Sequence, residues 1–208
     1  MARLPIVGVM GSGSEAHEPR AREVGSWLAT QSVHLLTGGG GGVMASVSKA
    51  FHETPGRRGL VIGVLPSTRS PPSHPRPGYP NPWVEVPIVT HLPLSGARGT
   101  DPLSRNHINL LTSDVVIFLP GAAGTASEAQ LAVSYQRPAI AYLGSRDEIP
   151  DLPAGIPDTA SFEELQRTVR ASLDRLAGSA GSAGSAAMVA GPSACGRHAR
   201  GAAGAGGQ

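Results

Sequence analysis

The chain has 208 residues, with 28 glycines, 19 prolines, a single cysteine and a formal net charge of +2. This length allows one domain with a well-buried core, and one cysteine excludes an internal disulfide and a metal site made of several thiolates. The near-neutral charge gives no basis for a nucleic-acid-binding surface, because the two excess arginines, Arg197 and Arg200, lie at the C-terminal end.

The two ends of the chain set the limits of the domain. The N-terminal sequence lacks the apolar run of a signal peptide, and no window reaches the roughly 20 apolar residues of a membrane span, so we expect a cytoplasmic protein with no membrane partner. Residues 177–208 consist mainly of glycine, alanine and serine. We therefore predict one domain over residues 1–176 and a disordered tail over residues 177–208.

Short apolar runs alternate with helical patterns along the domain. Predicted strands cover residues 4–10, 33–36, 60–65, 84–89, 115–119 and 139–143, and predicted helices cover residues 16–30, 43–52, 102–111, 125–135 and 161–176. The runs are continuously apolar, which is typical of strands covered on both faces. This alternation predicts an α/β protein with a doubly wound, mostly parallel sheet and helices on both faces. Asp101 and Pro102 form an N-cap and first-position pair that predicts the start of the third helix.

A proline-rich insertion over residues 66–83 interrupts the alternation. It contains seven prolines, and residues without an amide hydrogen exclude a helix or an inner strand. We predict a long surface loop, which is either a functional lid or an excursion without a function of its own. Tyr79 and Trp83 are the exposed aromatic residues of this loop, and one of them would cover a ligand if the loop is a lid.

Three glycine clusters, at residues 11–13, 38–42 and 121–124, follow the first, second and fifth predicted strands. In a parallel sheet these positions lie at the edge where ligands bind, and the helix N-termini that follow them attract anions. Glycine also lets the backbone approach a ligand closely. Three such loops favour a phosphate-bearing ligand over the alternative that the turns are glycine-rich for structural reasons alone.

Two common nucleotide-binding motifs are incomplete or missing. Gly11-Ser-Gly13-Ser-Glu-Ala16 fits the start of a dinucleotide fingerprint, but the second strand ends in Leu36-Thr37-Gly38, where an acidic residue should hold the ribose. The Gly-Lys-Ser/Thr of a Walker phosphate loop is also missing from the sequence. We therefore expect neither a nicotinamide dinucleotide nor a Walker-type triphosphate site.

Thr125 and Glu128, which open the fourth predicted helix, have two interpretations. Thr-x-x-Glu is a capping box in which each side chain binds a backbone amide of the first turn, and Ser161 and Glu164 form the same pattern without a glycine loop. Alternatively, Glu128 and Arg105, from the preceding helix, flank a ligand that the glycine loop holds. The residues alone leave both interpretations open.

The order and spacing of these motifs resemble a known family. Its pattern combines a Gly-Ser loop after the first strand, a GGG…GxM stretch, an arginine and the motif PGGxGTxxE. The matching residues here are Gly11-Ser12-Gly13, Gly38-Gly39-Gly40-Gly41-Gly42-Val43-Met44, Arg105 and Pro120-Gly-Ala-Ala-Gly-Thr-Ala-Ser-Glu128. The family is the Rossmann-like superfamily of the LONELY GUY proteins and the bacterial molybdenum cofactor carrier proteins, formerly called lysine decarboxylase-like.

The resemblance implies a Rossmann-like fold and leaves two main functions. The LONELY GUY branch hydrolyses the N-glycosidic bond of nucleoside 5′-monophosphates, and by analogy Arg105 and Glu128 would be its catalytic pair. The carrier branch binds a phosphorylated pterin or a related nucleotide-like ligand without turnover. Asn106, Ala122 and Ala123, together with the proline-rich insertion, make the chain more similar to the carrier branch. A regulatory nucleotide sensor is a third, minor alternative.

We therefore predict a carrier for a phosphorylated small molecule, either a nucleotide or a molybdopterin-type cofactor, with a phosphoribohydrolase as the alternative. No other cofactor and no metal ion is expected, since the histidines lack the spacing of a metal site. The residues predicted to bind the ligand are Gly11, Ser12, Gly13, Gly38, Gly39, Gly40, Met44, Arg105, Asn106, Gly121, Ala122, Ala123, Gly124, Thr125 and Glu128. From the family resemblance we also expect a homodimer or homotetramer.

Overall fold

A computed structural model describes residues 3–68 and 74–186 of the chain, with the backbone alone for residues 179–186. Within these ranges the chain forms seven β-strands, five α-helices and two short 3-10 helices. In chain order the strands and α-helices are β1 Ile6–Met10, α1 Arg20–Ala29, β2 His34–Thr37, α2 Gly42–Glu53, β3 Val61–Leu65, β4 Val86–Val89, α3 Asn106–Thr112, β5 Val115–Phe118, α4 Ala123–Ser134, β6 Ala139–Tyr142, β7 Asp158–Thr159 and α5 Phe162–Ala186.

The described strands form one sheet in the order β4-β3-β2-β1-β5-β6-β7, and every pair is parallel. The chain moves outward from β1 to β4 and then returns to place β5 beside β1, so the winding direction reverses between these two strands. Helices α1 and α2 pack together, as do α3 and α4, and the two pairs cover the opposite faces of the sheet. The predicted doubly wound fold is confirmed, and the reversal leaves a crevice at the carboxyl ends of β1 and β5.

Burial follows the position of each strand in the sheet. Every residue of β5, in the middle of the sheet, is buried, as its continuous apolar sequence predicts. Strand β4 lies at the edge, and Val86 and Val89 are exposed there. The expectation that all the apolar runs are covered on both faces is therefore wrong for β4. Pro87 fits such an edge position because an edge strand leaves some backbone amides unpaired.

The third helix begins at Asn106, four residues later than predicted. Asp101 does not cap this helix. Its side chain accepts a hydrogen bond from the amide of Leu103 at 2.9 Å and pairs with Arg98, which holds the chain in a turn. The buried Ser104 then accepts a hydrogen bond from the amide of Asn106 at 3.2 Å. The Asp-Pro pair is common to turns and to helix starts, which is why the sequence pattern was misleading.

The C-terminal part of the chain differs from its predicted organisation. Contacts within the chain define two units, residues 1–174 and residues 175–208. Helix α5 continues to Ala186, ten residues into the predicted tail, and the alanines of this stretch favour helix. The remainder of the predicted tail, residues 187–208, and residues 69–73 of the proline-rich insertion lie outside the described residues.

No helix within residues 3–68 and 74–186 is long and apolar enough to cross a membrane.

Candidate functional site

A cavity of about 300 Å³ opens where the loops after β1 and β5 meet. Ten of the predicted ligand-binding residues line it: Gly11, Ser12, Gly13, Met44, Arg105, Asn106, Ala122, Gly124, Thr125 and Glu128. The other lining residues are Met10, Ser14, Tyr79, Ser95 and Gly96. The predicted residues that do not line the cavity are Gly38, Gly39, Gly40, Gly121 and Ala123. Gly38, Gly40 and Gly121 pack against side chains that do line it.

Ser12 joins the three loops that carry the glycine clusters. Its amide donates to the carbonyl of Pro120 at 2.9 Å, and its carbonyl accepts from the amide of Val43 at 2.9 Å. Its hydroxyl accepts hydrogen bonds from the amides of Ser14 and Glu15 at 3.3 and 3.0 Å. Ser12 therefore fixes the relative positions of the loops after β1, β2 and β5, and its own amide is already bonded within the protein.

Glycines after β2 pack against side chains that line the cavity. A Cβ atom added to Gly38 would lie 2.3 Å from Nη2 of Arg105, so the guanidinium group packs directly on this glycine. A Cβ added to Gly40 would lie 2.9 Å from the methyl group of Met44 and from the ring of Tyr79. Gly39 has a φ of +73°, a conformation that favours glycine. These residues place other side chains in the cavity and do not line it.

The N-terminus of α4 supplies the backbone donors of the site. Ala122 is the N-cap and offers no side chain to the exposed amides. Gly121 and Thr125 donate their amides to the carbonyls of Glu148 and Ala122 at 3.0 and 2.9 Å. In residues 3–68 and 74–186, no group accepts from the amides of Ala122, Ala123 and Gly124. An anion at this helix end would therefore meet residues 122–124, a shorter segment than the predicted loop.

Glu128 does not form the capping box that its sequence pattern allows. It lies in the second turn of α4, where its Oε1 accepts a hydrogen bond from Nδ2 of Asn109 at 3.2 Å. The matching pattern at α5 does act as a cap, because the amide of Glu164 donates to the hydroxyl of Ser161 at 3.2 Å. The two identical motifs thus have different roles, and Glu128 faces the cavity.

Arg105 is buried, and two nitrogen atoms of its guanidinium group lack a hydrogen-bond partner among the described residues. Its residue is 4% exposed, and its Nη1 lies 3.8 Å from Oε1 of Glu128, too far for a hydrogen bond. Nε and Nη1 have no hydrogen-bond partner among the described residues. A buried guanidinium with unsatisfied donors is costly, so this side chain is suited to bind an anion that enters the cavity.

Burial also changes the acid–base properties of Glu128. Desolvation raises the pKa of its carboxyl group above the ordinary value of 4.5, while the charge of Arg105 and the hydrogen bond from Asn109 act in the opposite direction. Protonation of Glu128 would leave the positive charge of Arg105 without a counter-charge. The pair therefore favours a negatively charged ligand more strongly when Glu128 is neutral.

Sequence reasoning missed several residues of the site. Asn109 lies four residues after Arg105, one turn further along α3. The sequence signal that could have identified it was an asparagine at this spacing, which places both side chains on one face of the helix. Ser95 and Gly96 lie at the start of a short 3-10 helix, Gly96–Arg98, and Ser127 holds this segment by donating to the carbonyl of Gly96 at 3.0 Å. No short-range pattern marks such a segment as part of the site.

Of the two aromatic residues of the insertion, only Tyr79 lines the cavity. Trp83 lies with its ring 5.7 Å from the amino group of Lys49. His107, near Arg105 in sequence, is bonded to the hydroxyl of Tyr135 at 2.6 Å and to the carbonyl of Asp101, and it is not part of the cavity wall. Among the described residues, no three His, Cys, Asp or Glu side chains are grouped so that they could hold a metal ion.

Comparisons with known proteins agree with the motif resemblance. The model of the SLOG cluster4 family matches residues 4–167. The structure of the molybdenum cofactor binding protein from Rippkaea orientalis is 30% identical, with a TM-score of 0.62, covering 82% of this chain and 98% of that chain. The molybdenum cofactor carrier protein from Chlamydomonas reinhardtii is 31% identical, with a TM-score of 0.63, covering 83% of this chain and 99% of that one. The comparison with curated proteins gave no match.

A more distant structural similarity concerns the fold alone. DNA processing protein A from Streptococcus pneumoniae is 15% identical, with a TM-score of 0.50, over 79% of this chain and 61% of that chain. The family model extends over every strand of the described sheet and every residue that lines the cavity. The chain belongs to the SLOG cluster4 family, on the molybdenum cofactor carrier branch of the superfamily that its motifs resemble.

Proposed function

We propose that this protein binds and carries a phosphorylated cofactor of the molybdopterin class in the cavity between β1 and β5. The observation that carries the proposal is the buried guanidinium of Arg105, whose Nε and Nη1 have no partner among the described residues. A charged donor left unsatisfied in a buried position costs more than about 1–3 kcal/mol, so a function that supplies an acceptor accounts for its presence. A phosphate oxygen is a suitable acceptor because it forms short, charge-assisted hydrogen bonds with arginine.

The backbone around the cavity fits such a ligand. The amides of residues 122–124 begin a helix of 12 residues, and its dipole favours an anion at this end. The cavity volume of about 300 Å³ is at the lower end of the range for small-molecule sites. Arg105 and the helix end would hold the phosphate, and the bound cofactor would supply the metal-binding chemistry. The names of the structures with at least 30% identity support this ligand class.

The alternative function is hydrolysis of a nucleoside 5′-monophosphate. Glu128 is buried in the same cavity, 3.8 Å from Arg105, and a carboxylate in such a position can stabilise an oxocarbenium-like centre. A carrier would use the same carboxyl group to adjust the charge of the site without turnover. Release of free base from the nucleotide therefore separates the two functions, whereas binding alone does not.

The proposal is tested by calorimetric titration with molybdenum cofactor released anaerobically from a purified molybdoenzyme, and with AMP and GMP. We expect the wild-type protein to bind the cofactor, Arg105→Ala to bind at least tenfold more weakly, and Arg167→Ala, which removes an exposed arginine on α5, to bind normally. Equal binding by all three proteins would contradict the role of Arg105. Base release by wild type, measured by chromatography and lost in Glu128→Ala, would identify a hydrolase instead.

The proposal also includes the oligomeric state of the protein. We expect a homodimer or homotetramer, as the family resemblance implies. Light scattering at micromolar concentration measures this directly, and the mass of a monomer would contradict the expectation.

A further inference from the structure

We propose that Tyr79 is the specificity-determining residue of the cavity and binds a planar ring of the ligand, so that the site selects phosphorylated heterocycles over ring-free phosphates. This inference rests on the proposed function, namely that the cavity holds a phosphorylated small molecule. It adds the second recognition element, which is separate from Arg105 and the end of α4.

Tyr79 is fixed in the wall of the cavity. Its amide donates to the carbonyl of Arg76 at 3.0 Å. Two residues later, the buried Asn81 donates its amide to the carbonyl of Gly39 at 2.8 Å and its Nδ2 to the carbonyl of Gly40 at 2.9 Å. These bonds attach the proline-rich insertion to the glycine loop after β2. Tyr79 is therefore a preformed wall, and its ring does not need to be ordered when the ligand binds.

The side chain of Arg76 joins this segment to the segment that contains Ser95. The guanidinium of Arg76 donates through Nη1 to the hydroxyl of Ser95 at 3.4 Å, through Nε to the carbonyl of Ser67 at 3.2 Å and through Nη2 to the carbonyl of Pro93. Ser95 also lines the cavity. The wall that contains Tyr79 and the segment that contains Ser95 are thus joined by the side chain of Arg76.

The lining of the cavity contains both charged and apolar groups. Arg105, Thr125 and Glu128 provide the polar groups, whereas Met44 and the ring of Tyr79 both pack on Gly40, each 2.9 Å from the position that a Cβ atom would take there. Tyr79 is the only aromatic residue among the described lining residues. An aromatic ring and a polarisable thioether are suited to contact a flat ring, whereas the guanidinium group of Arg105 is suited to contact a phosphate. This pairing indicates a ligand with both a phosphate and a heterocycle.

The test compares ring-bearing with ring-free probes by calorimetric titration. The probes are GMP and released molybdenum cofactor on one side and ribose 5-phosphate on the other. We expect Tyr79→Ala to weaken binding of at least one ring-bearing probe tenfold or more and to leave ribose 5-phosphate within a factor of two, while Tyr79→Phe stays close to wild type. Trp83→Ala removes the other aromatic residue of the insertion, which lies outside the cavity lining, and should bind all probes normally.

Each other outcome overturns this inference. Equal losses for both kinds of probe in Tyr79→Ala would mean that Tyr79 only maintains the shape of the cavity. Unchanged binding of the ring-bearing probes in that variant, or wild-type protein that prefers ribose 5-phosphate, would mean that the ring is not recognised there. The inference can fail in this way while Arg105→Ala still weakens phosphate binding, so its failure is distinguishable from a failure of the proposed function.

Discussion

The guanidinium group of Arg105 packs on the Cα atom of Gly38, and a Cβ atom at position 38 would lie 2.3 Å from Nη2 and 2.4 Å from Nη1. The glycine at the end of β2 is therefore required by a side chain that comes from the start of α3. Two motifs separated by more than 60 residues in the sequence form one unit here. The position of the Arg105 side chain in the cavity wall depends on the absence of a side chain at residue 38.

Gly38→Ala is expected to reduce affinity for phosphorylated ligands without preventing folding. The added methyl group forces the guanidinium to move, and the loss of about one charge-assisted hydrogen bond corresponds to roughly ten- to hundredfold weaker binding. Calorimetric titration with GMP measures the change. Gly155→Ala is the control, because a Cβ there meets only Val133 at an ordinary distance of 3.4 Å. Normal binding by Gly38→Ala would show that Arg105 does not contact the ligand.

Substitutions at Ala122, the N-cap of α4, are expected to affect the stability of the protein and its anion binding differently. Ala122 has an extended conformation but no side chain that can accept from the exposed amides, and polar residues at this position stabilise helices by about 0.5–2 kcal/mol. We expect both Ala122→Asn and Ala122→Asp to raise the free energy of unfolding, measured by urea denaturation. We expect Ala122→Asp to lose anion binding as well, because its carboxylate occupies the anion position. If both variants bind phosphorylated ligands normally, these amides do not form the anion site.

The sequence predicts that Ser12 binds the ligand, whereas in the structure its hydrogen bonds connect three loops. Its hydroxyl accepts from the amides of Ser14 and Glu15 near the protein surface. Ser12→Ala should therefore lower the free energy of unfolding by about 1 kcal/mol, which is typical of a lost hydrogen bond in a turn. Urea denaturation provides the measurement. A full loss of ligand binding with unchanged stability would instead assign the hydroxyl to the ligand.

Much of the fold could be predicted from local sequence patterns. The apolar runs identified six of the seven described strands, since a buried parallel strand must be apolar on both faces. Strand β7, Asp158–Thr159, could not be predicted because a two-residue edge strand has no such pattern. The start of α3 was also misplaced, because Asp101 and Pro102 occur equally well in a turn.

The parts of the site that follow strand ends could be predicted from sequence motifs. The parts whose roles depend on tertiary contacts could not. The loops after β1 and β5 were located because parallel strands bring their carboxyl ends to one edge. The roles of Thr125 and Ser161 could not be separated in the sequence, since both begin the same four-residue pattern. Helix α4 begins at Ala123, before Thr125, whereas α5 begins at Phe162, directly after Ser161. Only these positions show that Ser161 is a cap and Thr125 is not.

Glu128 provides a prediction on stability and pH. Its pKa in the folded protein is raised above the ordinary value of 4.5 by burial. A raised carboxyl pKa contributes stability that is fully present below pH 4.5 and is lost as the pH rises through the folded-state pKa. We expect Glu128→Gln, which stays neutral, to gain stability relative to wild type above pH 4.5, by about 1.4 kcal/mol for each pH unit by which the pKa is raised.

The same carboxyl group should make ligand binding depend on pH. An anion beside Glu128 favours the protonated form, so binding takes up a proton and the wild-type affinity falls with rising pH faster than that of Glu128→Gln. The comparison of the two proteins cancels the ionisation of the ligand phosphate itself. Unfolding free energies and GMP affinities measured between pH 4 and pH 8 test both expectations. Parallel profiles for the two proteins would mean that Glu128 has an ordinary pKa and does not set the charge of the cavity.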